Sequence, residues 1–209
     1  TSVDEYFDQG IHWYDQLLER KKLLALDRDT LLDGKSLLLA TRARALCDRG
    51  RCKEALPLQH QAVELVEQFE NMPGKDKILA QERSGLGRVA KYASEYKLAL
   101  KTLSKAVDHW KQSKDQDELA RERILLASVK LDMGRVSEAK NELQEIIQEL
   151  ETQEPGETRT RLLVEAGVNA AVCAMVLGRY GEADDFLRQA AQVSEQSGDN
   201  YGAEPLAVD

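Results

Sequence analysis

The segment GRYGEAD, residues 178–184, recurs in looser form as GRCKEAL (50–56), SEYKLAL (94–100) and GRVSEAK (134–140). Each copy has a small turn residue, a bulkier residue two places later and an alanine five places later. The shared alanines, Ala55, Ala99, Ala139 and Ala183, are spaced by 44, 40 and 44 residues. A period of this size is the mark of a repeat architecture. The register extends both ways: seven residues later stand Ala62, Ala106, Ile146 and Ala190, and twelve earlier stand Ala43, Gly87, Ala127 and Ala171. The surrounding apolar residues recur at helical spacing, so each unit is predicted to be helix, tight turn, helix. Small residues at fixed places mark where two antiparallel helices cross closely.

Outward from these segments, the hairpins are predicted at 35–70, 77–114, 118–153 and 158–198. The connections NMPGKDK (71–77), SKDQD (113–117), TQEPGET (152–158) and SGDN (197–200) carry turn chemistry. Within residues 1–34, positions 3 to about 26 read as one helix with Tyr6, Ile11, Tyr14, Leu17, Leu18 and Leu24 largely on one side, either the second helix of a preceding hairpin or a cap. Residues 201–209 read as the opening of a further helix or a tail. One hairpin buries its apolar face only against its neighbours, so the expected fold is all-α, a stacked helical solenoid.

Composition agrees. With 42% hydrophobic and 32% charged residues the chain can bury a core, and 13 glycines, 4 prolines and 5% aromatics are too few for a set of short strands. No apolar run reaches the ~20 residues that span a bilayer, and the first residues lack the basic and apolar regions of a signal peptide. A net charge of −8 argues against nucleic acid as the main ligand. Three cysteines, Cys47, Cys52 and Cys173, cannot all pair within one chain and lack zinc-site spacing. The expected location is therefore a reducing one, the cytoplasm, with the nucleus as the alternative.

These residues resemble tetratricopeptide repeats (TPR). The family's small residue in helix A, turn glycine, bulky post-turn residue and two helix-B alanines correspond to Ala171, Gly178, Tyr180, Ala183 and Ala190. The other units match with lapses: Ser94 replaces the turn glycine, Cys52 and Val136 the aromatic, Ile146 the second alanine. The long period is similar to that of kinesin light chain-type repeats and of bacterial regulators with repeat sensors. The resemblance implies a right-handed superhelix whose concave groove, lined by the first helix of each hairpin, holds a partner.

Three motifs could carry chemistry. SGLGRVA places Gly85, Gly87 and Ala90 at dinucleotide-loop spacing, but that loop needs a preceding strand, and ILAQER continues a helical pattern. Cys47 and Cys52 flank the first turn and could bind metal or form a redox disulfide; because Cys52 fills the bulky post-turn place, packing is the expected role. The glutamates at 138, 142, 145, 149, 151, 154 and 157 read as a solvated outer face. No nucleophile, base and orienting group can be isolated. The chain is expected to be non-enzymatic, with no cofactor, metal site or small-molecule substrate.

Carrying the groove places across by resemblance gives Arg44, Arg88, Ser128 and Val172 eleven residues before the shared alanines, and Asn169 fourteen before the last. Lys91 and Tyr92 lie one turn beyond Arg88, and Arg121 one turn before Leu125. Asn169 matches an asparagine that holds a partner's backbone in peptide-binding repeats. The lysine and asparagine clamp for a C-terminal carboxylate is not reproduced, since Ala40 and Arg44 stand in its first-unit places. The expected partner is an acidic peptide or helix with hydrophobic anchors, bound along a groove running from basic to apolar. The other expectation is a segment of a larger assembly, or the sensor part of a regulator, working through its edges or ends.

Overall fold

The computed structural model describes residues 3–20, 24–154 and 156–196. Among them every regular element is a helix: α1 (Val3–Leu18), α2 (Ala25–Asp48), α3 (Cys52–Glu67), α4 (Lys75–Tyr92), α5 (Tyr96–Ser113), α6 (Gln116–Asp132), α7 (Val136–Glu151), α8 (Glu157–Val176) and α9 (Tyr180–Gln196). They fall into two units, one ending at Ser113 and the other beginning at Lys114. Residues 197–209, including the expected last hinge and tail, lie outside the described residues.

The repeat register is built into the turns. Gly50, Ser94, Gly134 and Gly178 all adopt left-handed backbone, with φ of 75°, 65°, 78° and 71°. After each, the next amide reaches back to a carbonyl five residues earlier: Arg51 N–H to Leu46, Glu95 to Ala90, Arg135 to Lys130 and Arg179 to Ala174, all at 2.8–2.9 Å. This closure satisfies helix-end carbonyls and suits a residue without a Cβ, so glycine fills three of the four places. The four register alanines are almost fully buried, as are Ala62, Ala106, Ile146 and Ala190.

In the first unit, α2 and α3 enclose Leu32, Leu39, Ala62, Leu65, Val66 and Phe69, with Ile78 and Leu79 of α4 closing over them. Helix α1 lies on α2, held by the ion pairs Asp15–Lys35 and Asp8–Arg42. The helix expected to run from 3 to about 26 ends at Leu18, and α2 starts at Ala25, ten residues before the expected start of the first hairpin. The cause lies in buried polar residues. Asp29 accepts the backbone N–H groups of Glu70 (3.1 Å) and Asn71 (2.6 Å), fixing the connection between α3 and α4, and Lys35 is buried against Asp15. The sequence alone does not mark either residue for burial.

In the second unit, Ile124, Ala127, Ala139, Leu143, Ile146 and Leu150 of α6–α7 meet Leu162, Ala166, Ala170 and Cys173 of α8. Ala171, Ala174 and Ala183 form a further cluster with Phe186 between α8 and α9. The glutamates read as a solvated face are partly engaged with α6: Glu142 with Lys130, and Glu145 and Glu149 with Arg123.

Cys47 and Cys52 are joined as a disulfide across the α2–α3 turn. This corrects the expectation that they only pack. Cys52 is nevertheless buried at its post-turn place, so bonding and packing coexist. Cys173 is a buried free thiol, its pKa pushed up by burial.

Candidate interaction surface

In the first unit the residues at groove positions belong to α2 and α4. Arg44 and Arg88, which occupy the same register place on the two helices, are both exposed. Neither is tied into the ion pairs that hold other charges among the described residues. Tyr92 is exposed at the end of α4, and the Lys91 ammonium lies 5.2 Å from its ring centroid, a cation–π distance. Leu37, three residues before the register position of Ala40, adds an exposed aliphatic side chain on α2.

Two acids share this face, and sequence reasoning did not connect them with the arginines. Glu82 of α4 accepts a hydrogen bond from Gln59 Nε2 at 2.6 Å, and Gln59 itself is buried. Burial pushes the Glu82 carboxyl above its ordinary pKa; the Gln59 bond pulls down, Asp33 adds to the rise and Arg44 opposes it. Burial likewise raises Asp33. Gly85 opens room for this arrangement, since a Cβ there would stand 2.9 Å from Gln59 Nε2. Gly85 and Gly87 thus serve helix packing, inside α4 and without a preceding strand.

In the second unit the expected residues are more engaged. Arg121 pairs with Glu118 at 2.9 Å in the first turns of α6. Ser128 is only 8% exposed and donates its hydroxyl to the Leu125 carbonyl at 2.7 Å, so it offers little to a partner. Asn169 is half-buried and its Nδ2 donates to the Glu165 carbonyl at 2.9 Å; presenting both amide functions outward requires the side chain to turn. Val172 is half-buried beside the exposed Met175. Among the described residues no cluster of His, Cys, Asp and Glu could hold a metal ion, and no helix is long and apolar enough to cross a membrane.

Comparison with known proteins agrees with this architecture. Residues 38–68, the last part of α2 and all of α3, match the tetratricopeptide repeat family. No curated protein shows significant sequence similarity to the chain. A kinesin light chain-type protein of nearly identical TPR-like repeats from Podosopora anserina superposes with a TM-score of 0.64 at 15% identity, covering 95% of this chain and 99% of that one. BtubC (BKLC) from P. vanneervenii gives a TM-score of 0.69 at 13% identity, over 97% of this chain and 78% of its own. A Rap protein complexed with Competence and Sporulation Factor gives 0.63 at 16% identity, over 95% of this chain and 56% of its own.

Proposed function

We propose that this TPR-like helical solenoid is a non-enzymatic scaffold or adaptor that holds an acidic peptide or partner helix through the exposed face of α2 and α4. The observation that carries the reading is the pair Arg44 and Arg88: two exposed guanidinium groups at one register place on neighbouring helices, flanked by the apolar surfaces of Leu37 and Tyr92. Guanidinium forks suit carboxylates, and a preorganised helical surface leaves the ordering cost to the ligand. A similar fold seen holding Competence and Sporulation Factor supports partner binding by such an array. In this reading Lys91 strengthens the basic wall beside Tyr92, while Arg121, Ser128, Asn169 and Val172 contribute less. A cytoplasmic placement belongs to the same reading: three cysteines cannot all pair within one chain, and Cys173 is a buried free thiol.

The test is affinity capture with wild type and with Arg44→Glu, Arg88→Glu side by side. The double variant should keep its circular dichroism and melting, because exposed charges contribute little to folding. It should lose the partner; retained capture by the folded variant overturns the reading.

A further inference from the structure

The Cys47–Cys52 disulfide stands at a turn that this fold closes without it elsewhere. Cys47 lies in the last turn of α2, and Cys52 is the first residue of α3. The other three hairpins hold Lys91 and Tyr96, Leu131 and Val136, and Met175 and Tyr180 at these two places. Their turns are shut by the same backbone bond, at 2.8–2.9 Å, that runs here from the Arg51 N–H to the Leu46 carbonyl. The two cysteines are also only five residues apart, and a disulfide constrains the unfolded chain least when its loop is short. The bond is therefore not needed to form the turn, and it can open without unfolding α2–α3.

The two sulfurs differ in access. Cys52 is 7% exposed, whereas Cys47 is half-buried at the margin of the core made by Ala43, Leu46, Ala55 and Val89. An incoming thiolate thus reaches the Cys47 sulfur. The departing Cys52 sulfur takes its negative charge at the N-terminus of α3, where free N–H groups favour an anion. It also stays within reach of Cys47, its Sγ lying 3.8 Å from the Cys47 carbonyl oxygen. Arg44, exposed one turn before Cys47, and Arg49, exposed just after it, outweigh Asp48 at the approach, while Arg51 is occupied by Glu54.

We propose that Cys47–Cys52 is a thiol–disulfide exchange site for small thiols that carry carboxylates, attacked at Cys47 and resolved by Cys52. The thiolate of the small molecule attacks the Cys47 sulfur, the Cys47–Cys52 bond breaks, and a mixed disulfide forms at Cys47 while the bonding pair leaves on Cys52 as thiolate. Attack of Cys52 on Cys47 reverses the step and expels the small thiol. Attack of a second small thiolate on the sulfur of the bound one releases Cys47 instead. Two small thiols are then oxidised to their disulfide, and the protein pair is reduced by the same two electrons. Run backwards, these steps oxidise the pair with the small disulfide. The exchange holds whatever the α2–α4 surface binds.

The probe is glutathione, reduced and oxidised, added to the full chain, with acid quenching, thiol blocking and mass spectrometry as the readout. The variants Cys47→Leu and Cys52→Val borrow the residues of the α6–α7 turn, Leu131 and Val136, so that packing is kept, and circular dichroism checks it. In native buffer wild type should pass between disulfide and dithiol as the ratio of reduced to oxidised glutathione changes. Oxidised glutathione should leave a stable mixed disulfide on Cys47 of Cys52→Val, formed at least about tenfold faster than any adduct on Cys52 of Cys47→Leu. The buried Cys173 should take none. Arg44→Gln should slow reduction of the bridge by glutathione roughly 2–5-fold and leave reduction by uncharged 2-mercaptoethanol unchanged. A bridge that yields to reduced glutathione only on unfolding overturns the proposal, as does a pair that stays reduced in oxidised glutathione, or an adduct that favours Cys52. Equal slowing of both thiols by Arg44→Gln overturns the preference for carboxylates.

Discussion

A Cβ placed on Gly87 would stand 2.4 Å from Cγ of the fully buried Leu103, in the crossing of α4 and α5. The equivalent places in the other hairpins, Ala43, Ala127 and Ala171, hold alanine, so only this crossing has no Cβ at the register place. Gly87→Ala gains ~1 kcal/mol of helix propensity but forces Leu103 to move within a packed core, and overpacking costs ~1–3 kcal/mol. The expected result in urea denaturation is a net loss of up to about 2 kcal/mol. Gly85→Ala meets only the end of the Gln59 side chain and should be much milder. Equal effects of the two substitutions would refute the assignment of the crossing to Gly87.

Ser94 does the work of a glycine. Its φ of 65° is left-handed, and its amide and that of Glu95 close the turn on Lys91 and Ala90 at 3.0 and 2.8 Å. A non-glycine residue in that region costs roughly 1–2 kcal/mol, part of which glycine returns as unfolded-chain entropy. Ser94→Gly should therefore raise stability by up to about 1 kcal/mol. The same substitution at an ordinary helical position, such as Ser104, should lower it. A thermal melt comparing the two decides the matter.

Much of the fold was legible because its defining features are local. A left-handed turn residue, a bulky residue two later and an alanine five later can be read from seven letters, and four such heptads fixed the α2–α3, α4–α5, α6–α7 and α8–α9 turns. The start of α2 was hidden because DRDTLLDGK (27–35) looks like surface, and only packing makes Asp29 and Lys35 buried residues. The candidate surface suffered similarly. Arg44 and Arg88 could be placed by register, but Asp33, Gln59 and Glu82 come from three different helices and meet only once those helices stack. No one-dimensional count of charge shows Glu82 offsetting Arg44.

Asp29 gives a pH-dependent prediction. Burial alone would raise its carboxyl, but the backbone N–H groups of Asn71, Glu70 and Met72, helped by Arg28, outweigh it and hold the pKa below the ordinary aspartate value. A carboxyl with a lowered folded-state pKa stabilises the fold fully above its unfolded value, near 4, and that contribution is lost as pH falls through the folded value. Asp29→Ala leaves buried amides without their acceptor and should cost about 2–4 kcal/mol at neutral pH. The gap between wild type and variant should close as pH drops below ~4. A gap that is constant down to strongly acidic pH would mean the carboxylate charge is irrelevant there.

Glu82 carries the prediction that links electrostatics to recognition. Its pKa is raised chiefly by burial, so its ionised form burdens the fold at neutral pH, and acidification through the raised value relieves that burden. Glu82→Gln keeps an oxygen to accept from Gln59 and removes the charge, so stability at pH 7 should be unchanged or higher by up to about 1 kcal/mol. The same change strips a negative charge from the neighbourhood of Arg44 and makes the α2–α4 face more basic. Affinity for an acidic partner captured by wild type should then rise by roughly 2–5-fold, mainly through association rate, and the gain should shrink with added salt. Lowering the pH towards the raised Glu82 value should narrow the difference between wild type and variant, because protonation gives the native residue the same neutral state. Surface plasmon resonance across pH and ionic strength measures all of this. Weaker binding by Glu82→Gln would show that the partner uses the carboxylate, and the α2–α4 face would have to be read as a site for a basic ligand.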